Sequence, residues 1–212
     1  MINPIERGVY LASRSPRRRE LLAQIGVRFH LLLFRARAGE DPDVDEKVLA
    51  NEAPDAYVMR LARAKADAGW RRMLQRNLPH APILAADTTV SVDGAILGKP
   101  GDRNEAARML ERLSGRQHEV LTAVALKYDD WIESALSRSE VRFKPLSAQE
   151  IAQYTASGEC DDKAGAYGIQ GRAATFVREI RGSHSGIVGL PLYETARLLA
   201  ALGPPHDRRN PD

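Results

Sequence analysis

The stretch GVYLASRSPRRRELLAQIG, residues 8–26, predicts a strand, a tight turn and a helix in immediate succession. Residues 8–13 form a short apolar run of the kind found in buried strands. Ser15 is a typical helix N-cap, and Pro16 is a typical first residue of a helix. The apolar positions expected on one side of this helix are Leu21, Leu22 and Ile25.

Three consecutive arginines, Arg17, Arg18 and Arg19, fall in the first turn of that helix. The helix dipole disfavours cations there, so an anion is expected to offset them. Amide groups at the helix start, the hydroxyls of Ser13 and Ser15 and the guanidinium groups together suit a phosphate. The alternative is a basic helix start that is simply solvated.

The next segments alternate between helix and strand. Residues 55–72 predict a second helix that carries Lys65, and the stretch between about 34 and 55 predicts a mobile loop. The apolar run PILAAD leads into Asp87, and the pair Asp93-Gly94 is a hairpin signal. Asp87 is therefore expected on a strand close to a turn.

The second half of the chain continues the mixture. Capping patterns at Asp102 and Ser147 predict two helices, and HEVLTAVALKY predicts a strand. The glycine-bearing segment 161–171 predicts a loop, the stretches 173–180 and 185–189 predict strands, and Pro191 opens a last amphipathic helix. This order favours an α/β architecture with a mixed sheet.

Composition limits the class of protein. Of 212 residues, 43% are hydrophobic and 28% are charged, which predicts one globular domain over residues 1–202 and a polar tail over 203–212. The net charge of +3 gives no argument for nucleic acid, and no apolar run is long enough to cross a membrane. The single cysteine, Cys160, fits a reducing compartment, and we expect a cytoplasmic protein.

Two charged residues could act in a site. Asp87 follows a buried strand, where a carboxylate binds metal or accepts protons, although a strand-end turn residue is an equal alternative. Lys99 lies between Gly98 and Pro100 at a hairpin exit, a rigid position from which an ammonium could meet phosphate oxygens. Lys65 lies among other charged residues of its helix, and this pattern by itself indicates a solvent-exposed helix face.

Gln170 lies in the glycine-bearing loop and offers an amide that both donates and accepts hydrogen bonds. That pattern matches the imide edge of uracil or thymine, while a hydrogen bond to nearby backbone is the alternative. Signatures of P-loop nucleotidases, zinc proteases and α/β-hydrolases do not occur in the sequence.

Six ordered blocks of this sequence closely resemble the Maf family of nucleotide pyrophosphatases. The blocks are LASRSPRRRELL, RLARAKA, AADTTV with ILGKP, LSGRQHEVLTAVAL, DKAGAYGIQG and IRGSHSGIVGLPLYET. The resemblance runs from about Val9 to Leu202. It implies an α/β fold similar to inosine triphosphate pyrophosphatases: a mixed twisted sheet with flanking helices and two lobes around a deep cleft, often in a homodimer.

The resemblance also implies an activity and a site. It implies hydrolysis of nucleoside triphosphates to a monophosphate and pyrophosphate, with a divalent cation such as Mg²⁺ or Mn²⁺. By position, Asp87 matches the catalytic acid-base residue, and Gln170 matches the base-reading residue. The positions that match phosphate-handling residues are Ser13, Arg17, Arg18, Lys65 and Lys99.

Three positions indicate the branch of the family. The branch that acts on 7-methyl-GTP typically has Tyr, Gln and Glu at the positions of Arg17, Thr88 and Gln170, so this chain resembles the dTTP/UTP branch instead. Ordinary and modified pyrimidine nucleotides both fit that resemblance. The alternatives are the 7-methyl-GTP activity and a nucleotide-binding regulator of cell division.

One part of the family pattern is altered. The family usually carries an acidic pair soon after the first helix, thought to assist metal binding, where this chain reads FRARAGED over residues 34–41. Glu40 is the metal-assisting residue that we expect after a short insertion, and Glu46 is the alternative.

Overall fold

The structure is a computed structural model that describes residues 8–32 and 44–202. Within these residues the chain forms a mixed sheet of seven strands. The strands are β1 (Val9–Leu11), β2 (Phe29–Leu31), β3 (Ile83–Val92), β4 (Ala95–Leu97), β5 (Gln117–Tyr128), β6 (Trp131–Phe143) and β7 (Val177–Arg181).

The sheet has the order β2-β1-β3-β5-β6-β7, and β4 also pairs with β3. Strands β2, β1 and β3 run parallel, whereas β5, β6, β7 and β4 each join an antiparallel neighbour. Strand β3 is central because it pairs with β5 along nine residues, from Ile83 to Ser91. The mixed α/β fold predicted from the sequence is confirmed.

Helices cover both faces of the sheet. They are α1 (Pro16–Gln24), α2 (Pro54–Gln75), α3 (Arg103–Leu113), α4 (Ala148–Ala156), α5 (His184–Val188) and α6 (Leu192–Ala201). Helix α2 buries its apolar side against Ile83 and Ala85 of β3, while α1 and α6 pack against Leu84 and Ala86, which point the other way. The two-residue alternation of β3 thus separates two cores.

Short-range sequence signals are confirmed where they were clear. Ser15 caps α1, and Ser147 forms a full capping box with Glu150 at the start of α4. Asp93 and Gly94, with φ of 53° and 76°, form the tight turn between β3 and β4. Positive φ at both central residues is what a two-residue hairpin of this twist requires.

Two expected strands were wrong or misplaced. Residues 185–189 were expected to form a strand, yet they lie in α5 and its end, because Ser183 accepts the Gly186 amide hydrogen and caps a helix there. The stretch 173–180 is a strand only from Val177, since Arg172–Phe176 form a 3₁₀-helix.

Two finer expectations also fail. Ile25 follows the end of α1 and is 37% exposed, so Leu21 and Leu22 alone form the buried side. Asp87 lies in the middle of β3, not close to its turn, because the strand continues to Val92. Residues 44–53 form neither helix nor strand, whereas 34–43 and the tail 203–212 lie outside the described residues.

Candidate active site

The site lies at a gap in the sheet. Strand β1 pairs with β3 only as far as Leu84, and β4 begins to pair with it at Val90. Residues 85–89 of β3 pair with β5 on one side and, within the described chain, have no strand on the other side. A cleft of about 600 Å³ opens there. The gap therefore exposes a short central part of an otherwise buried strand.

Every described residue that the sequence predicted for the site lines this cleft. The set is Ser13, Arg17, Arg18, Lys65, Asp87, Thr88, Lys99 and Gln170. They come from the β1–α1 turn with the start of α1, from α2, from β3, from the segment after β4 and from the loop after α4. The fold thus gathers residues from five separate parts of the chain.

Asp87 forms an ion pair at the floor of the cleft. Its Oδ1 accepts a hydrogen bond of 2.7 Å from Lys65 Nζ, and Glu46 Oε1 lies 2.6 Å from the same nitrogen. Lys99 Nζ lies 3.8 Å from the other oxygen of Glu46. Two carboxylates and two ammonium groups thus alternate across the cleft.

Charge pairing outweighs burial in this cluster. Burial alone would lower the pKa of Lys65, but the carboxylates of Asp87 and Glu46 raise it above its usual value. Burial opposes ionisation of Glu46, yet Lys65, then Lys99 and Arg18, lower its pKa. Both Lys65 and Glu46 are therefore charged at neutral pH.

Arg18 ties three walls of the cleft together. Its Nε donates to the Gly189 carbonyl at 2.7 Å, and its terminal nitrogens donate to Thr88 Oγ1 at 3.1 Å and Ser13 Oγ at 3.4 Å. Burial lowers the pKa of Arg18 below its usual value, and the nearby Asp87 offsets only part of this effect. Because these acceptors are neutral, the Arg18 charge remains available to an anion in the cleft.

Arg17 lies against the glycine-bearing loop. Its Nε is buried and has no hydrogen-bond partner among the described residues, which is costly for a guanidinium. A Cβ on Gly168 would lie 3.6 Å from its Nη1 and 2.8 Å from Lys163 Cε. Burial, and then the proximity of Arg17, lower the pKa of Lys163. This end of the cleft therefore has a second cluster of positive charge.

Gln170 lies at the tip of a turn. The Gly171 amide donates to the Gly168 carbonyl at 3.1 Å, which closes a four-residue turn with Ile169 and Gln170 in its centre. Gln170 is exposed, and its side chain makes no hydrogen bond to the described part of the protein. Its amide is thus available to a ligand.

A buried aromatic cluster supports this loop from below. His118 Nε2 lies 2.8 Å from the Tyr167 hydroxyl, and both rings pack edge-on with Phe143. Burial lowers the pKa of His118 to about 4, so the ring is neutral at physiological pH. His118 is therefore a core residue.

The cleft offers two carboxylates to a divalent cation. Asp87 and Glu46 converge on one ammonium, so their oxygens already face a common centre of positive charge. Residues 8–32 and 44–202 contain no cluster of three or more acidic, histidine or cysteine side chains placed for a metal. Two carboxylates with substrate phosphates fit Mg²⁺, which keeps few protein ligands.

Glu46 was only an alternative in the sequence, and Lys163 was not selected at all, yet both line the cleft. Glu46, the alternative to Glu40, lies in the site, whereas Glu40 falls outside the described residues. Lys163 also lines the cleft and was not singled out. Its position at the start of the block KAGAYGIQG is the signal that could have identified it.

None of the described helices is both long and apolar enough to span a membrane.

The model of the family described as Maf-like protein matches residues 8–202. The chain is 58% identical over 205 residues to a dTTP/UTP pyrophosphatase from Aromatoleum aromaticum, covering 96% of this chain and 100% of that protein.

Two further relatives bear the same name. A dTTP/UTP pyrophosphatase from Nitrosomonas europaea is 53% identical over 96% of this chain and 98% of its own length. One from Burkholderia pseudomallei is 57% identical over 91% of this chain and 92% of its own length. The similarity therefore covers the whole sheet and the cleft.

Proposed function

The chain belongs to the Maf family, and from this premise we infer that it is a pyrophosphatase that hydrolyses dTTP and UTP to the monophosphate and pyrophosphate. Its partners are small nucleoside triphosphates. This inference also agrees with the branch indicated by Arg17, Thr88 and Gln170.

The charge arrangement in the cleft is the observation that carries this function. Cationic side chains surround the carboxylates of Asp87 and Glu46, and a central strand places Asp87 at the floor. A triphosphate would bring several negative charges to these cations and relieve the unpartnered Nε of Arg17. Phosphoryl transfer needs mainly such positioning and charge neutralisation, with no covalent nucleophile.

Asp87 acts as the general base in this proposal. Its carboxylate accepts a proton from a water molecule whose oxygen attacks the α-phosphorus. The bond from this phosphorus to the α–β bridging oxygen breaks, and pyrophosphate leaves with that oxygen. Lys65 and Lys99 stabilise the charge that develops on the phosphates.

Asp87 and Glu46 would hold a Mg²⁺ or Mn²⁺ ion, together with substrate phosphates. A bound divalent cation supplies charge neutralisation for the triphosphate and lowers the pKa of coordinated water. Lys65 contacts both carboxylates, so it also keeps them side by side and oriented toward the cleft.

Gln170 reads the base in this proposal. The pyrimidine imide presents one N–H group between two carbonyls, and a primary amide can accept from the first and donate to one of the others. A guanine base presents adjacent donors instead, which suit a carboxylate better. The unengaged amide at the tip of the turn supports this role.

The test is pyrophosphate release from UTP, dTTP, CTP and GTP by the wild type and by Gln170→Glu, in the presence of Mn²⁺. We expect UTP and dTTP to be the best wild-type substrates. In the variant, a carboxylate would face a uracil carbonyl, so the UTP to GTP ratio of kcat/KM should fall by about tenfold or more.

Two outcomes would contradict parts of the proposal. An unchanged substrate ranking in Gln170→Glu would mean that Gln170 does not read the base. Tight binding of UTP without pyrophosphate release would favour a nucleotide-binding regulator.

A cytoplasmic location and a homodimer stay predictions, and light scattering of the purified protein tests the dimer.

A further inference from the structure

The turn that carries Gln170 is held from outside the cleft. Tyr154 of α4 accepts a hydrogen bond from the Gly168 amide at 3.2 Å, at the first residue of the turn. Glu159 Oε2 accepts one from the Arg172 amide at 3.2 Å, directly after the turn ends. Both ends of the turn are thus bonded to side chains of one neighbouring segment.

These two anchors are joined to each other. The Tyr154 hydroxyl donates to Glu159 Oε1 at 3.4 Å, and burial raises the pKa of Tyr154, so the hydroxyl keeps its proton. Each oxygen of Glu159 therefore accepts from a different donor. The hydrogen bonds form a closed path from Gly168 through Tyr154 and Glu159 to Arg172.

The carboxylate also packs directly against the turn. A Cβ on Gly171 would overlap Glu159 Oε1, although Gly171 has a negative φ of −110°. Glycine lets the Glu159 carboxylate approach the backbone closely, and a larger residue at this position would displace that carboxylate. Glu159 itself is only partly buried, so its contacts with the turn are made at the protein surface and not in the core.

We propose that Glu159 is a positioning residue for base recognition, because its carboxylate fixes the turn that presents Gln170 to the cleft. This inference rests on the proposed role of Gln170. Supporting groups of this kind hold a contact residue in the geometry that the ligand requires. Their loss should lower discrimination between bases more than it lowers phosphate chemistry.

Glu159→Gln is the sharpest test, since it keeps the shape of the side chain. The oxygen of a primary amide can accept from the Arg172 amide, but the NH₂ group then faces the Tyr154 oxygen, which already accepts from Gly168, so the hydroxyl hydrogen of Tyr154 loses its acceptor. We expect the UTP to GTP ratio of kcat/KM to fall by about fivefold to tenfold, as for one lost hydrogen bond, with GTP turnover little changed. Tyr154→Phe should act in the same direction.

A double-mutant cycle separates positioning from a general structural effect. Glu159→Gln should change the ratio in the wild type but not in Gln170→Ala, where no base-reading amide is left to position. Glu111→Gln, on the exposed face of α3, is the matched control and should change nothing. Melting temperatures of all variants report any loss of stability.

The outcomes distinguish the two proposals. If Gln170→Glu alters the substrate ranking and Glu159→Gln does not, the role of Glu159 is overturned while the proposed function stands. If both variants leave the ranking unchanged, Gln170 does not read the base, and both proposals about this turn are overturned. If Glu159→Gln changes the UTP to GTP ratio of kcat/KM equally in the wild type and in Gln170→Ala, positioning through Gln170 is also overturned.

Discussion

Replacing Lys65 by methionine should destabilise the protein strongly above neutral pH and less in mild acid. The ammonium lies 2.7 Å from Asp87 and 2.6 Å from Glu46, and its side chain is only 12% exposed. At an effective dielectric constant of about 20, a charge pair at such a distance attracts by about 6 kcal/mol before desolvation is counted.

Desolvation offsets much of this attraction, but the variant still leaves two carboxylates facing each other. Removing one partner of a buried ion pair lowers the free energy of unfolding by about 3–5 kcal/mol. Because Glu46 is 31% exposed, we expect the lower end of this range, about 3 kcal/mol. Lys65 is the main group that lowers the pKa of Glu46, so without the ammonium the pKa of Glu46 should rise. The loss should therefore shrink as the pH falls and one carboxyl takes up a proton.

Urea unfolding of the wild type and the variant at pH 8 and pH 5 measures this effect. The matched control is Lys127→Met, which removes a similarly covered ammonium that has a single half-exposed partner, Asp67, at 3.1 Å. We expect the control to lose about 1 kcal/mol or less at either pH. A Lys65 variant no less stable than the control, or a loss independent of pH, would refute this reasoning.

Three further predictions concern single residues. Asp87→Asn should stay folded and lose about 10²-fold or more in kcat, because the amide accepts no proton; near-native turnover in the folded variant would argue against the assigned base. Lys99→Ala should weaken competitive inhibition by pyrophosphate about tenfold and inhibition by UMP much less, and equal losses would argue against a polyphosphate contact. His118 has a pKa of about 4 in the folded protein and about 6.5 in the unfolded chain, so between these values the unfolded chain binds more protons. The free energy of unfolding should therefore decrease as the pH is lowered from about 6.5 to about 4. The fall should reach about 2 kcal/mol at pH 5 and be absent in His118→Phe, and urea unfolding at pH 7.5 and pH 5 decides this.

Local chemistry explains which parts of the fold were predictable. The cap at Ser15, the capping box at Ser147 and the turn at Asp93-Gly94 each depend on residues within three or four positions, so sequence alone identifies them. The sequence of β6 does not predict a strand, because charged and polar residues alternate irregularly along it. Its pairing with β5 along twelve residues, and not its own composition, makes it a strand.

The helix at 184–188 shows a different limit. Its five residues, HSGIV, are too few for a helical period, and the apolar run resembles a strand. Tertiary contacts decide the outcome: Ser183 caps the helix, and Thr122 of β5 donates to the Gly186 carbonyl at 2.7 Å. Neither contact is visible from the local pattern alone.

The family resemblance predicted residues that line the cleft, but not the partners that they contact. Lys65 alone reads as a solvated lysine, and only the packing of α2 on β3 brings it to Asp87, 22 positions away. Arg18 reaches the Gly189 carbonyl across 171 positions. Such contacts depend on the register of the sheet, which a single sequence does not contain. Glu46 also lies beside Lys65, and the Tyr57 hydroxyl of α2 donates to its backbone carbonyl at 3.0 Å.

Hydrolysis of UTP in ¹⁸O-labelled water, followed by ³¹P NMR of the products, tests the central claim most directly. Attack of water on the α-phosphorus predicts one labelled oxygen in UMP and none in pyrophosphate, with Asp87→Asn forming neither product at a comparable rate. Label in the pyrophosphate would place the attack on the β-phosphorus, and release of UDP with inorganic phosphate would place it on the γ-phosphorus. Either result would contradict the assigned reaction.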